Sequence, residues 1–226
     1  MAWHDLDERM TAKRSSVLAE GLSFAESPRW RNGTFWFSDF HVGKVMRLGA
    51  DGATEPVVEV PGEPSGLGWL PSGDLLVVSM QNRKLMRFDG EHLVEHADLS
   101  NIATWHCNDM VVDRAGRAYV GNFGAPFDPD KPPTPADIAC VHPNGDVVNA
   151  AQGLLFPNGM AITDDGGTLL VAETRGDRIS AFDVASDGTL ANHTIWAELE
   201  GAPDGMCLAD EGMLRIALPM TGAGVP

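Results

Sequence analysis

Several features are scarce or missing in this chain, and each shortage excludes something. No run of eighteen apolar residues occurs, so neither a transmembrane helix nor a membrane partner is expected. Basic residues are few. Sixteen Lys and Arg against 32 Asp and Glu leave a net charge of −16, and no basic patch interleaved with aromatics is present, which argues against nucleic acid as a partner. The three cysteines, Cys107, Cys140 and Cys207, are an odd number without metal-site spacing. Reduced thiols are expected, with Cys107 and Cys207 as small buried fillers. No G-x-S-x-G context surrounds Ser15, Ser16 or Ser180, so nothing supports a Ser-His-Asp hydrolase. Helical periodicity is absent except over Leu6–Lys13. The opening stretch "MAWHDLDERMTAKRSS" is charged and lacks the apolar stretch of a signal peptide, so the expected location is cytoplasmic.

Turns, by contrast, are plentiful, with 25 glycines and 15 prolines in 226 residues. They recur in a pattern. A small oxygen-bearing residue precedes an apolar strand at Glu26 ("AESPRW"), Ser65 ("EPSGLGWL"), Asn108 ("HCNDMVVD"), Asn158 ("FPNGMAIT") and Asp204 ("APDGMCLA"), at spacings of 39, 43, 50 and 46 residues. That is the period of a propeller blade of four antiparallel strands. The second unit divides into strands "GLGWL", "LLVVSM", "KLMRF" and "LVEHADL"; the fourth into "MAIT", "TLLVAE", "DRISAFDV" and "HTIWAEL". The third is lengthened by "APFDPDKPPTPA" (Ala125–Ala136), whose five prolines exclude a ladder strand and predict a surface loop. The fold class is all-β: a propeller with about four and a half blades encoded here. An N-terminal polar segment (1–16) precedes one incomplete propeller domain (17–226).

In a propeller, the first strand of each blade lines the central channel. Residues at one phase of the repeat therefore form a ring at one height. Glu26, Ser65, Asn108, Asn158 and Asp204 would converge at one mouth, and such a ring of oxygens is suited to a hard cation. The carboxylates of Glu26 and Asp204 balance a divalent charge, and Asn158 adds a neutral carbonyl oxygen. Oxygen-only ligation suits calcium first, with manganese, magnesium or zinc as alternatives. Three protein ligands leave positions for water and substrate.

The motifs "ESPRW", "NDMVVDRAGRAYVGNFG", "PNGM" and "PDGM" together resemble the successive blade openings of the gluconolactonase and regucalcin-like (senescence marker protein) propellers. The resemblance runs from Leu22 to about Leu218. It implies a six-bladed propeller with one catalytic metal near its axis, acting on lactones and sometimes other esters. Matched motif by motif, Glu26, Asn158 and Asp204 stand at the metal ligands, and Asp204 also at the proposed general base. Asn108 stands at a polar position beside the metal that contacts substrate or completes coordination, and Asp109 is a weaker candidate for substrate contact. Sugar-lactone members often carry Arg two residues before the Asn of "ND"; His106 stands there in this chain, and it cannot supply a five-donor fork to a polyol. The substrate expected is a small-molecule lactone or ester, smaller or more apolar than a sugar-acid lactone.

Other polar residues are read as bland. His41, Glu173 and Arg175 fall in loops after second strands and are taken as solvated loop charges. Val17–Phe24 ("VLAEGLSF") is expected as the outer strand that closes the ring. The chain reads as C-terminally truncated relative to the family, which leaves open sheet edges and room for self-association. The competing function, from another class, is a non-catalytic metal- or small-ligand-binding propeller that has lost activity through truncation.

Overall fold

In a computed structural model the described residues are 16–49, 52–209 and 212–219. Among the described residues nearly all regular structure is β, in four four-stranded antiparallel sheets and one two-stranded sheet. The first contains β1 (Ala25–Arg31), β2 (Thr34–Asp39), β3 (Lys44–Leu48) and β4 (Thr54–Glu59). The second contains β5 (Pro64–Trp69), β6 (Leu75–Ser79), β7 (Lys84–Phe88) and β8 (Leu93–Asp98). In the third are β9 (Cys107–Val112), β10 (Ala118–Asn122), β11 (Ala136–Val141) and β12 (Val147–Leu154). The fourth holds β13 (Pro157–Ile162), β14 (Thr168–Glu173), β15 (Arg178–Val184) and β16 (Leu190–Glu198), and β17 (Met206–Leu208) pairs with β18 (Leu214–Ile216). Each sheet follows chain order, as hairpins joined by short Gly-containing turns require. These are the blades of a β-propeller. The candidate helix over Leu6–Lys13 lies outside the described residues, and among those described no helix is long and apolar enough to cross a membrane.

The first strands β1, β5, β9, β13 and β17 lie against one another in succession, innermost in their sheets. β5 and β13 are buried over five of six residues, whereas β16 on the outside is almost wholly exposed. The core is correspondingly divided into slabs between neighbouring blades. Val45, Leu67 and Val77 join the first two blades; Leu76, Leu85, Met110 and Val120 join the second and third. Tyr119, Ile138, Met160 and Val171 join the third and fourth, and Leu170 and Ile179 pack against Met206 and Ile216 of the two-stranded sheet. Face-to-face apolar packing of twisted sheets is what fixes the inner strands around a shared axis.

Three details depart from the sequence reading. Residues 16–24 form no strand: the Ser23 and Phe24 N–H groups donate to the Asp39 carboxylate (3.2 and 3.0 Å), so that side chain takes the place of a ladder partner. The proline-rich loop ends at Pro135, because Ala136 already opens β11. Cys207 is exposed, whereas Cys107 and Cys140 are buried free thiols, which burial pushes up to about 12 and about 11.

Candidate functional site

Ser65, Asn108 and Asn158 do not precede their inner strands but sit inside them, in bulges, whereas Asp204 lies two residues ahead of β17. In β13, Pro157 pairs with Glu173 and Met160 with Val171, so Asn158 and Gly159 face a single residue of β14. In β9, Cys107 pairs with Asn122 and Met110 with Val120, which sets Asn108 and Asp109 in the same position. Ser65 and Gly66 occupy it in β5. A bulge breaks the alternation of the strand and re-aims the extra side chain, here towards the channel mouth. Asn158-Gly159 is therefore no hairpin turn, and Gly159 lacks a positive φ. Its value is closeness: a Cβ there would collide with the Asp204 carbonyl oxygen, which accepts the Gly159 N–H at 3.1 Å.

The first blade corrects the supposed common phase. Glu26 pairs with Ser38 and Arg29 with Trp36, so Ser27 and Pro28 form that bulge and Glu26 stands one residue ahead of it. Ser27, inside that bulge, takes a left-handed φ of 50°.

Asn158 and Asp204 meet directly. Asn158 Nδ2 donates to Asp204 Oδ1 (2.8 Å) and to Thr174 Oγ1 (3.0 Å), while Thr174 donates to the Pro203 carbonyl (2.7 Å). The amide orientation is thereby fixed, and among the described residues its carbonyl oxygen accepts no hydrogen bond. Glu26 joins them electrostatically. Burial, then the charges of Asp204 and Asp109, push its carboxyl up to about 7. Asp204 is raised by burial and by the charge of Asp109, against the lowering effect of its Asn158 bond. Asn108 is 8% exposed, and its buried Nδ2 has no hydrogen-bond partner. A buried orphan donor costs about 1–3 kcal/mol, so this amide is poised for a group the protein itself does not supply.

Asp109 has a different setting. Its Oδ1 accepts from Arg29 Nη2 (2.6 Å), Ser27 Oγ (2.9 Å) and the Met110 N–H (2.8 Å). Arg29 also donates to the carbonyls of Leu67 (3.1 Å) and Met110 (2.9 Å), so one guanidinium ties together the inner strands of three blades. Ser27, Arg29 and Thr174 were absent from the sequence reading. Their partners lie 82, 80 and 16 residues away, beyond any local signal.

His106 stacks on Trp105 (centroids 4.8 Å apart, planes at 16°) and lies 6.3 Å from Phe123. Phe123 in turn lies 4.3 Å from Phe156. Phe156 is 8% exposed and has φ of 62°, and Glu63 has φ of 64° at the equivalent place in its own blade, each directly before a proline. A left-handed bulky residue costs of order 1–3 kcal/mol, and such strain collects at functional sites. His41 contacts Glu63 at 3.3 Å.

The reading of Glu173 and Arg175 as solvated charges is corrected. Glu173 ends β14 with no exposure and receives Arg178 (2.8 and 2.9 Å), the Leu155 N–H (2.7 Å) and Ser180. Burial alone would raise its pKa, but these donors together hold it below the usual carboxylate value. Arg175 binds the carbonyls of Asp128 (2.8 Å) and Lys131 (2.5 Å).

Among the described residues, no group of three or more His, Cys, Asp and Glu side chains is placed to hold a metal ion. The donor set assembled here has a different make-up, two carboxylates and an amide carbonyl. With Glu26 raised by burial and by the charges of Asp204 and Asp109, and Asp204 raised by burial and by the charge of Asp109, these oxygens lack a positive partner and fit a hard divalent cation.

Comparison with known proteins agrees with the architecture. The diisopropyl-fluorophosphatase of Loligo vulgaris is 25% identical over 231 residues, covering 88% of this chain and 73% of that protein. The regucalcin of Xenopus laevis is 27% identical over 215 residues, covering 91% and 71%. A gluconolactonase from Xanthomonas campestris, important in glucose secondary metabolic pathways, superposes with a TM-score of 0.72 at 25% identity, over 88% of this chain and 71% of that one. This chain thus spans a little over seven-tenths of their length. The model of the SMP-30/gluconolactonase/LRE-like region matches residues 24–225, and with four blades of the corresponding propeller in place the chain belongs to that family.

Proposed function

We propose that the protein is a metal-dependent hydrolase of lactones or related carboxylic esters. The observation that carries this reading is the pair of half-buried carboxylates, Glu26 and Asp204, coupled through charge beside Asn158 while Arg29 is committed to Asp109. The site is short of positive charge, and the names of the related gluconolactonase and diisopropyl-fluorophosphatase support hydrolysis as its use.

Glu26, Asn158 and Asp204 would hold the cation, calcium being favoured by an all-oxygen set. A divalent ion bound there would polarise a substrate carbonyl and offset negative charge developing on its oxygen. The remaining work falls to the chain. Asn158 orients Asp204 through its 2.8 Å bond and is itself held by Thr174. Asp204 is the candidate base that takes a proton from the attacking water, since its burial raises its proton affinity. Asn108 offers its free Nδ2 hydrogen to the substrate. His106, stacked on Trp105, gives that side of the mouth an aromatic surface.

A panel of lactones and aryl esters, assayed with calcium or manganese and after chelation, tests the proposal with Asp204→Ala alongside. Hydrolysis should disappear on chelation and return with metal. Asp204→Ala should weaken cation binding more than tenfold, above ~1.4 kcal/mol, by calorimetry. Undiminished hydrolysis in exhaustively chelated protein would end the metal-dependent reading, and equal cation affinity in the variant would end the ligand assignment.

A further inference from the structure

Phe156, two residues before Asn158 in the chain, borders a cavity that bond cleavage does not require. The loop of residues 123–135 folds back over Phe156 and encloses about 70 Å3 between Phe123, Phe127, Pro132, Pro133, Phe156 and Arg175. Phe127 lies 6.3 Å from Phe156, and the Arg175 guanidinium sits 5.4 Å from the centre of the Phe127 ring. Arg175 spends hydrogens on the carbonyls of Asp128 and Lys131, so it works as a strap holding the loop down. Lys131 directs its amine to Asp128 (2.9 Å) and is 77% exposed at its side chain. The cavity wall is built mainly of aromatic and proline rings, with Asp128, Lys131, Thr134 and Arg175 as its polar members; Arg175 is spent on carbonyls and Lys131 on Asp128.

This cavity is tied to the site by short covalent steps. Phe156 precedes Asn158 by two residues, and its carbonyl accepts the Thr174 N–H (3.1 Å); Thr174 is the residue that holds Asn158. Phe123 donates its N–H to the carbonyl of His106 (3.0 Å), two residues before Asn108. A substrate whose carbonyl lies at Glu26, Asn158 and Asp204 would reach the cavity with a substituent a few bonds away. Size then decides what fits. The volume is roughly half of the ~150 Å3 that admits benzene in an engineered apolar cavity. An aryl ring is too large, and a polyol meets charged groups (Arg175, Lys131 and Asp128) that are already paired.

We propose that this cavity is the subsite for a short alkyl substituent, so that the preferred substrates are γ- or δ-lactones carrying a chain of about three or four carbons. The proposal rests on the hydrolase reading for the position of the carbonyl, and its selectivity can be measured without turnover. Each methylene that enters an apolar site favours binding by about fourfold.

The test uses the metal-supplemented full chain and the γ-alkyl lactones from γ-valerolactone to γ-undecalactone, with glucono-δ-lactone as the polyol. In parallel, calorimetry measures binding of the matching 4-hydroxyalkanoates and of gluconate. Both kcat/KM and affinity should climb about fourfold per carbon to a propyl or butyl group and then level or fall. Ala125→Leu, which fills the cavity, should move the optimum to shorter chains, and Phe127→Ala, at a residue 53% exposed, should flatten the climb without endangering the fold. Rising 4-hydroxyalkanoate affinity with no lactone turned over supports the subsite and removes the hydrolase reading instead. A flat chain-length profile, a preference for glucono-δ-lactone or gluconate, or a profile that neither variant alters would overturn the subsite.

Discussion

Replacing Glu26 by Gln should stabilise the metal-free protein in alkaline solution. The reason is the rise of its carboxyl from 4.5 to about 7, caused first by burial and then by the charges of Asp204 and Asp109. In the folded state the group holds its proton more tightly than in the unfolded chain. Between these two values the folded protein therefore binds more protons, so its stability falls as pH rises and levels off above the folded pKa. At about 1.36 kcal/mol per pKa unit the full loss is ~3 kcal/mol. Glutamine keeps the shape and carries no charge, so Glu26→Gln should match wild type near the ordinary carboxylate pKa and exceed its stability by up to ~3 kcal/mol at pH 8. Urea unfolding in chelator, run on both proteins across this range, isolates the group because every other titration is shared. Added calcium should nearly close the gap: at a hundred times its dissociation constant a cation stabilises wild type by ~2.7 kcal/mol, against a deficit of up to ~3 kcal/mol, and the variant by far less. A stability difference that does not change from acid to alkaline pH would refute the reasoning, since no buried repulsion would then exist.

The bulges and the buried ion pair can be tested separately. Gly159→Ala forces a methyl group into the Asp204 carbonyl, so calorimetry should find weakened calcium binding together with a lowered unfolding midpoint; unchanged affinity would show that this close approach does not set the position of Asp204. Glu173→Ala strips the partners from Arg178, Ser180 and the Leu155 N–H, and urea unfolding should register a loss of about 3–5 kcal/mol. Because its donors hold the folded Glu173 pKa below the unfolded value, its stabilisation is complete above the unfolded pKa and fades as pH falls through the folded one. The wild-type acid transition should therefore be steeper than that of Glu173→Gln, and equal slopes would contradict that linkage.

The repeat was legible because it is local. Strands such as Lys84–Phe88 and Thr168–Glu173 begin and end where turn residues and apolar alternation place them. The bulges were not legible, because they depend on hydrogen-bond register between strands. A one-residue difference separates Glu26 from the phase of Asn108 and Asn158, and only the pairing with Ser38 and Trp36 reveals it. Glu173 was misread for a similar reason. "LLVAE" followed by "TRG" looks like a strand running into a solvated loop, yet Glu173 still belongs to the ladder and faces Arg178 across the hairpin. An acid at a strand end with a base five residues later, across a tight turn, was the available signal.

Charge compensation explains why the recognised motif residues come apart into two groups in space. Three acids gather near the channel mouth, Glu26, Asp109 and Asp204, coupled pairwise through their charges. Asp109 is matched by Arg29, whose other hydrogens reach two neighbouring inner strands, so that pair is spent on holding blades together. Two negative charges remain, on Glu26 and Asp204, set beside two amides. Such a remainder has two ways to be neutralised. A proton on Glu26 removes one charge at about pH 7 and below, and a divalent cation removes both. A cation held there would therefore compete with a proton for a single carboxylate, and a monovalent ion, which would leave one of the two charges uncompensated, is the poorer match.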